Sequence, residues 1–236
     1  MTTTSSRATG AVLSGVLLIA SGVLAPLIMI FHPTAQGGDM ASRLTSLTEI
    51  SALSRHVHLA MIMCIVALWL SLAHLARRWQ DNGWVWTAIR VYALGAAAML
   101  GAALISGFLI GDYLQRVLPL IPRTEGALPS VLLAFSANQV LAGFGTLGMS
   151  AGIVLWSIAM LRQAGPLATT CGACGAIAGL LCLIGYATGL ISLDVPGMTF
   201  VVVAQSLWYC LLGLWVLRAS PGVATATSTD DGHRVS

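Results

Sequence analysis

Apolar residues in this chain come in long, nearly unbroken runs. A half-buried strand would alternate every second residue, and a surface helix would repeat every three to four. Six runs reach the roughly 20 mainly apolar residues that a bilayer-spanning helix needs. They are roughly Ala11–Phe31, Val57–Ala76, Val91–Gly111, Ser130–Leu161, Ala168–Leu193 and Gly197–Leu217. The fourth is longer than the hydrocarbon core requires and is expected to tilt or project. Only helices satisfy their backbone groups inside one apolar segment, so strands are not a serious alternative.

Punctuation between the runs completes the outline. The first run stops at His32-Pro33, the second at Arg77-Arg78, and the third lies between Arg90 and Asp112. Met40, Leu44, Leu47 and Ile50 recur at helical spacing behind Asp39, a natural N-cap. This predicts an amphipathic helix near the interface, in the first outer loop, leading into the second span. Gln115–Pro129 holds Pro119, Pro122 and Pro129 and is expected to be irregular. Residues 1–10 read as a short N-terminal segment. The Ser-, Thr-, Asp- and Gly-rich tail from Ala219 to Ser236 reads as disordered. The first run carries one arginine ahead of it and exceeds a signal-peptide core, and a cut after Ala25 would meet Pro26. It is expected to remain as a helix.

Composition agrees with a membrane setting. The chain of 236 residues is 57% hydrophobic and 8% charged. A soluble domain carries about 25% charged residues. All eleven basic residues are arginine. No basic tract is interleaved with aromatics, which argues against nucleic-acid binding. Arg7, Arg77, Arg78, Arg90, Arg162, Arg218 and Arg234 would share one side, and Arg43, Arg55, Arg116 and Arg123 the other. This bias predicts both termini in the cytoplasm. The expected fold is therefore all-α, one domain of six transmembrane helices, with membrane lipids as its surroundings.

Candidate chemistry gathers at the outer end of these helices. His32 closes the first span, and His56 and His58 open the second. Residues two apart point to different faces of a helix, so only one of that pair can turn inward easily. His58 is the deeper. Asp112 and Asp194 end the third and fifth spans on the same side. His32, His58 and Asp112 make a candidate zinc or iron set, and His32 with His58 could hold one haem. The competing expectation is ordinary interfacial histidines, with Asp112 paired to Arg116 and Asp194 capping the sixth helix. A second haem lacks ligands, because His74 has no partner histidine at the inner end. On balance no cofactor is expected.

Amide and hydroxyl side chains within the spans should face the bundle. A polar cavity opening outward would collect His58, Asp112, Asn138, Gln139, Asp194 and Gln205. The alternative is hydrogen bonding between helices without a ligand. Cys171-Gly-Ala-Cys174 has redox spacing but sits among glycines, so it reads as a packing face, as do the other cysteines. Gly107/Gly111, Gly148/Gly152, Gly175/Gly179 and Gly185/Gly189 have small-xxx-small spacing. Such faces serve packing within the chain or a homo-oligomer seam. No span carries a charge near its middle, which counts against a coupled transporter. No hydrolase, P-loop or dinucleotide motif is present.

Phe31-His32-Pro33, Arg55-His56-Val57-His58 and Asn138-Gln139 before a glycine-rich stretch resemble a group of uncharacterised bacterial six-helix membrane proteins, filed under domains of unknown function. The similarity spans most of Ala11–Leu217. It implies six helices and a bacterial inner membrane, and brings no activity, substrate or catalytic residue. Three functions stay open: binding of a lipid or small molecule in an outward polar pocket, metal or haem chemistry in a redox protein or hydrolase, and small-solute transport.

Overall fold

The computed structural model describes residues 3–79, 81–120 and 128–219. Among these there is no strand, and six helices are long and apolar enough to cross a bilayer. We label them α1 (Thr3–Ile30), α2 (Met40–Ala76), α3 (Gly83–Leu104), α4 (Leu128–Leu161), α5 (Pro166–Ala187) and α6 (Val195–Arg218). A 3-10 turn, Arg77–Trp79, extends α2. Beyond Leu104, α3 runs on to Leu120 through two π-helical stretches, Ile105–Leu109 and Tyr113–Val117. The architecture is that of a multi-pass membrane protein.

The boundaries have local causes. Asp39 caps α2 through a reciprocal capping box with Ser42. The Ser42 amide donates to the Asp39 carboxylate at 2.8 Å. Replacing Asp39 by alanine is expected to cost about 1 kcal/mol and to speed hydrogen exchange at the Ser42 amide. Exchange no faster than wild type would refute this cap. Asn82 caps α3 by accepting from the Trp84 and Val85 amides. Helix α5 stops at Ala187, short of the expected Leu193. Gly189 adopts φ +75° there, a left-handed conformation that ends helices, and Ile191 folds back to donate to the Gly185 carbonyl.

Other expectations shift as well. The stretch from Met40 expected to form an amphipathic helix in the first outer loop is the beginning of α2, one unbroken helix with the span. The stretch expected to be irregular from Gln115 is helical as far as Leu120, and Pro129 sits in the first turn of α4. Helix α1 already begins at Thr3. Residues 121–127 and the expected tail beyond 219 lie outside the described residues.

Each helix packs against its neighbours in sequence, and α6 returns to pack along α1. The result is a closed ring. Its perimeter is apolar and exposed, with Ile30, Leu133, Val140 and Leu190 among the side chains left for lipid. Inside, one half of the axis is filled by a contiguous core that includes Tyr92, Trp156, Trp208 and Tyr209. Trp215, Trp79, Trp156, Trp208, Tyr209 and Tyr92 touch in succession, with ring centroids 5.3 to 6.5 Å apart. The half nearer the end of α1 and the start of α2 is not filled in this way, and the cavity lies there.

Glycines set the closest helix approaches. A β-carbon on Gly148 would stand 2.7 Å from the Gly95 Cα, so α3 and α4 meet backbone to backbone. Gly175 and Gly179 face Ser157 and Val154 of α4, and Gly107 faces His58 of α2. These small-residue faces are occupied within the chain. The five cysteines are free thiols, and Cys171 is buried.

Candidate functional site: a cavity at the histidine end

A cavity of about 460 Å³ opens at the histidine end of the ring, between α1, α2, α3, α4 and the start of α6. That volume falls in the range of small-molecule sites, about 300–1,000 Å³. Its walls are mainly apolar, with Met29, Ile65, Met99, Ala102, Ala142 and Met198 among them. Polar groups enter from His32, Ser54, His58, Ser106, Asn138, Gln139 and Asp194.

Two histidines meet at this site from different elements. His32 lies just past the end of α1 and is half-buried, and His58 projects inward from α2 with 7% exposure. Their rings pack edge to face, with centroids 5.1 Å apart and planes at 70°. His56, two residues earlier, is exposed. The His58 Nδ1 lies 2.7 Å from the Ser54 carbonyl, and the His32 Nδ1 lies 3.1 Å from the Pro33 carbonyl. A carbonyl only accepts, so Nδ1 carries the proton in both rings. Each Nε2 then keeps its lone pair. Burial lowers the pKa of His32, opposed in part by the Pro33 carbonyl. The neutral form is thereby favoured near pH 7.

The direct ring contact leaves no slot for a porphyrin between the two imidazoles as they stand. Nor does the expected metal set assemble. Asp112 does not line the cavity, because its carboxylate pairs with Arg55 of α2. Arg55 in turn lies over the Phe108 ring. Arg116, the partner suggested by helical spacing, is displaced in that role by a charge from a neighbouring helix. Among the described residues no group of three or more His, Cys, Asp or Glu side chains is placed to share a metal.

The remaining candidates divide. Asn138 lines the cavity half-buried, and Gln139 lines it while donating to the Leu193 carbonyl at 3.4 Å. Asp194 lines the rim and caps α6, accepting from the Gly197 amide at 2.9 Å. That amide, aided by the Ser192 hydroxyl, holds the Asp194 carboxyl below its ordinary pKa, so it is ionised at neutral pH. Gln205, expected in the cavity, does not line it. It is buried away from the cavity, donating to the Ser150 hydroxyl at 3.0 Å and accepting from Tyr209 at 3.5 Å.

Tyr209 also shares a 2.8 Å hydrogen bond with the buried Tyr92. Tyr92, Tyr209, Gln205 and Ser150 thus form one chain linking α3, α6 and α4. Tyr209→Phe strands polar groups on both sides of it and is expected to cost about 1–3 kcal/mol in detergent unfolding. The Tyr92→Phe/Tyr209→Phe double variant should be less unstable than the two single losses added together. Strict additivity would mean that the hydroxyls are not coupled.

The contact of Gly107 with His58, and the π-helical stretch around it, go beyond the packing that its spacing predicts. A β-carbon there would stand 2.8 Å from the His58 Cγ, so glycine makes the room that this imidazole occupies. The Gly107/Gly111 spacing was the available signal, although it does not reveal a histidine as the partner. π-bulges inside α-helices recur at functional sites. A helical bundle with a mainly apolar cavity and a polar mouth defines the class of protein. Comparison with family models, with curated proteins and with solved structures finds no match for this chain.

Proposed function

We propose that the chain is an integral protein of a bacterial inner membrane, kin to the six-helix group it resembles, that binds a lipid-like amphiphile or small apolar molecule in this cavity. The arginine bias supports an orientation with both termini cytoplasmic and the cavity facing outward. The observation that carries the reading is the division of the cavity between apolar walls and polar groups from His32, His58, Asn138, Gln139 and Asp194. Apolar chains move between lipid and such walls with little net gain, because lipid tails are equally apolar. Selectivity therefore falls to the polar groups. Asp194 is the only acid among them, and among the described residues no arginine lines the cavity, which favours a head group that donates hydrogen bonds, such as a hydroxyl, amide or amine.

The test is saturable binding of a dansylated long-chain alcohol to the purified full chain, read by emission shift and competed by unlabelled long-chain alcohol. Binding that neither saturates nor competes would remove the reading.

A further inference from the structure

We infer that His32 and His58 form a two-imidazole site for a divalent transition-metal ion, bound through their Nε2 atoms at the cavity mouth. Four observations carry this. Both side chains line the same cavity. Their ring centroids stand 5.1 Å apart. Two imidazoles bound through Nε2 at about 2.0–2.1 Å to a tetrahedral ion would place their centroids about 5 Å apart, so the ion requires the rings to turn out of their edge-to-face packing but not to move apart.

The protonation pattern is the third. Both Nδ1 atoms face backbone carbonyls, of Pro33 and Ser54, so both Nε2 atoms are acceptors. Metal-bound histidines commonly use the other ring nitrogen in this way, and the contact fixes both tautomer and ring orientation. Fourth, the place is built for the ring, since a side chain at position 107 would collide with His58.

Two protein ligands leave at least two coordination positions. Water would fill these, or the hydroxyl or amine of a cavity ligand. This is the open arrangement of a site that handles a ligand rather than the closed one of a structural zinc. Borderline ions that favour imidazole, such as zinc, iron(II) or nickel, suit it best. Asp112, held by Arg55, takes no part. The inference concerns the same cavity as the proposed function but does not depend on an amphiphile binding there.

The experiment is calorimetric titration of the full-length chain with zinc chloride, in detergent and with any affinity tag removed. About one zinc ion per chain is expected. Losing even an outer-shell partner of a metal typically costs about 10–100-fold, so His32→Ala and His58→Ala should each weaken binding at least about tenfold. His56→Ala and Asp112→Asn should leave it unchanged. A second readout needs no variant: zinc should protect His32 and His58, but not His56, from carbethoxylation by diethylpyrocarbonate. Absence of stoichiometric binding, or equal modification with and without zinc, overturns the site. Zinc binding lost with dansyl-probe binding kept overturns this inference alone. The reverse overturns the amphiphile reading alone.

Discussion

Gly95→Leu is expected to prevent the ring from assembling, and Gly95→Ala to destabilise it by about 3 kcal/mol or more. The reason is what the new carbon would strike. It would stand 2.7 Å from the carbonyl carbon of Gly148 and 2.9 Å from the carbonyl oxygen of Gly145. Neither is the flexible end of a side chain. Relief requires α3 and α4 to separate, which also loosens Tyr92 against Gly152 and Met99 against Gly145. Close packing, rather than a hydrophobic drive, holds helices together in lipid, so the loss falls on the main source of stability. Thermal and denaturant unfolding in detergent would measure it. Gly38→Ala is the control, since nothing lies near that position, and its effect should stay within about 0.5 kcal/mol. Equal stability of the two variants would show that the α3–α4 approach is looser than described.

Ser106→Phe is expected to reduce binding of the dansylated alcohol by about five- to a hundredfold, with the fold retained. Ser106 lines the cavity from the π-helical stretch of α3. A phenyl ring there competes for the space that the probe must enter. Forcing both into one site costs about 1–3 kcal/mol, which sets the range. The cavity can accept the ring when the ligand is absent, so unfolding should change little. Leu207→Phe, on the exposed face of α6, should bind the probe like wild type. Equal binding by Ser106→Phe and wild type would mean that the probe sits elsewhere, in the micelle or on the lipid face.

Features that depend on length and local chemistry were legible in the chain. The six spans follow from apolar runs. Asp39 and Asp194 cap helices because a carboxylate before a helix finds free amides wherever the helix goes. The inward turn of His58 and the exposure of His56 follow from their two-residue offset.

What escaped depends on which helices become neighbours. Asp112 had a local partner in Arg116, but the ring brings Arg55 to it across 57 positions of sequence. Gln205 shares the polarity of Asn138, yet Tyr209 one turn later, Tyr92 on α3 and Ser150 on α4 draw it into the filled half. The π-helical stretch Ile105–Leu109 has no periodic signature, since it continues the apolar run of the α-helix before it. The early end of α5 was written in Gly189, but the apolar Ile191–Leu193 after it reads as more of the same span.

The seam that closes the ring has a consequence for biogenesis. Gly15 packs on Gly213 and Leu217, and Gly22 on Cys210 and Ser206. Helix α1 leaves the ribosome before α6, yet it packs more extensively against α6 than against α2. Domains are synthesised N-terminus first, so α1 waits through the insertion of four further helices with its glycine face bare. Until α6 arrives the bundle is an open arc. Its two unsatisfied edges, on α1 and α5, are both complementary to α6, and equally to the α6 of a second copy. Premature pairing between two such arcs would exchange α6 between chains, so the interval before α6 inserts is the stage at which this fold is most exposed to error.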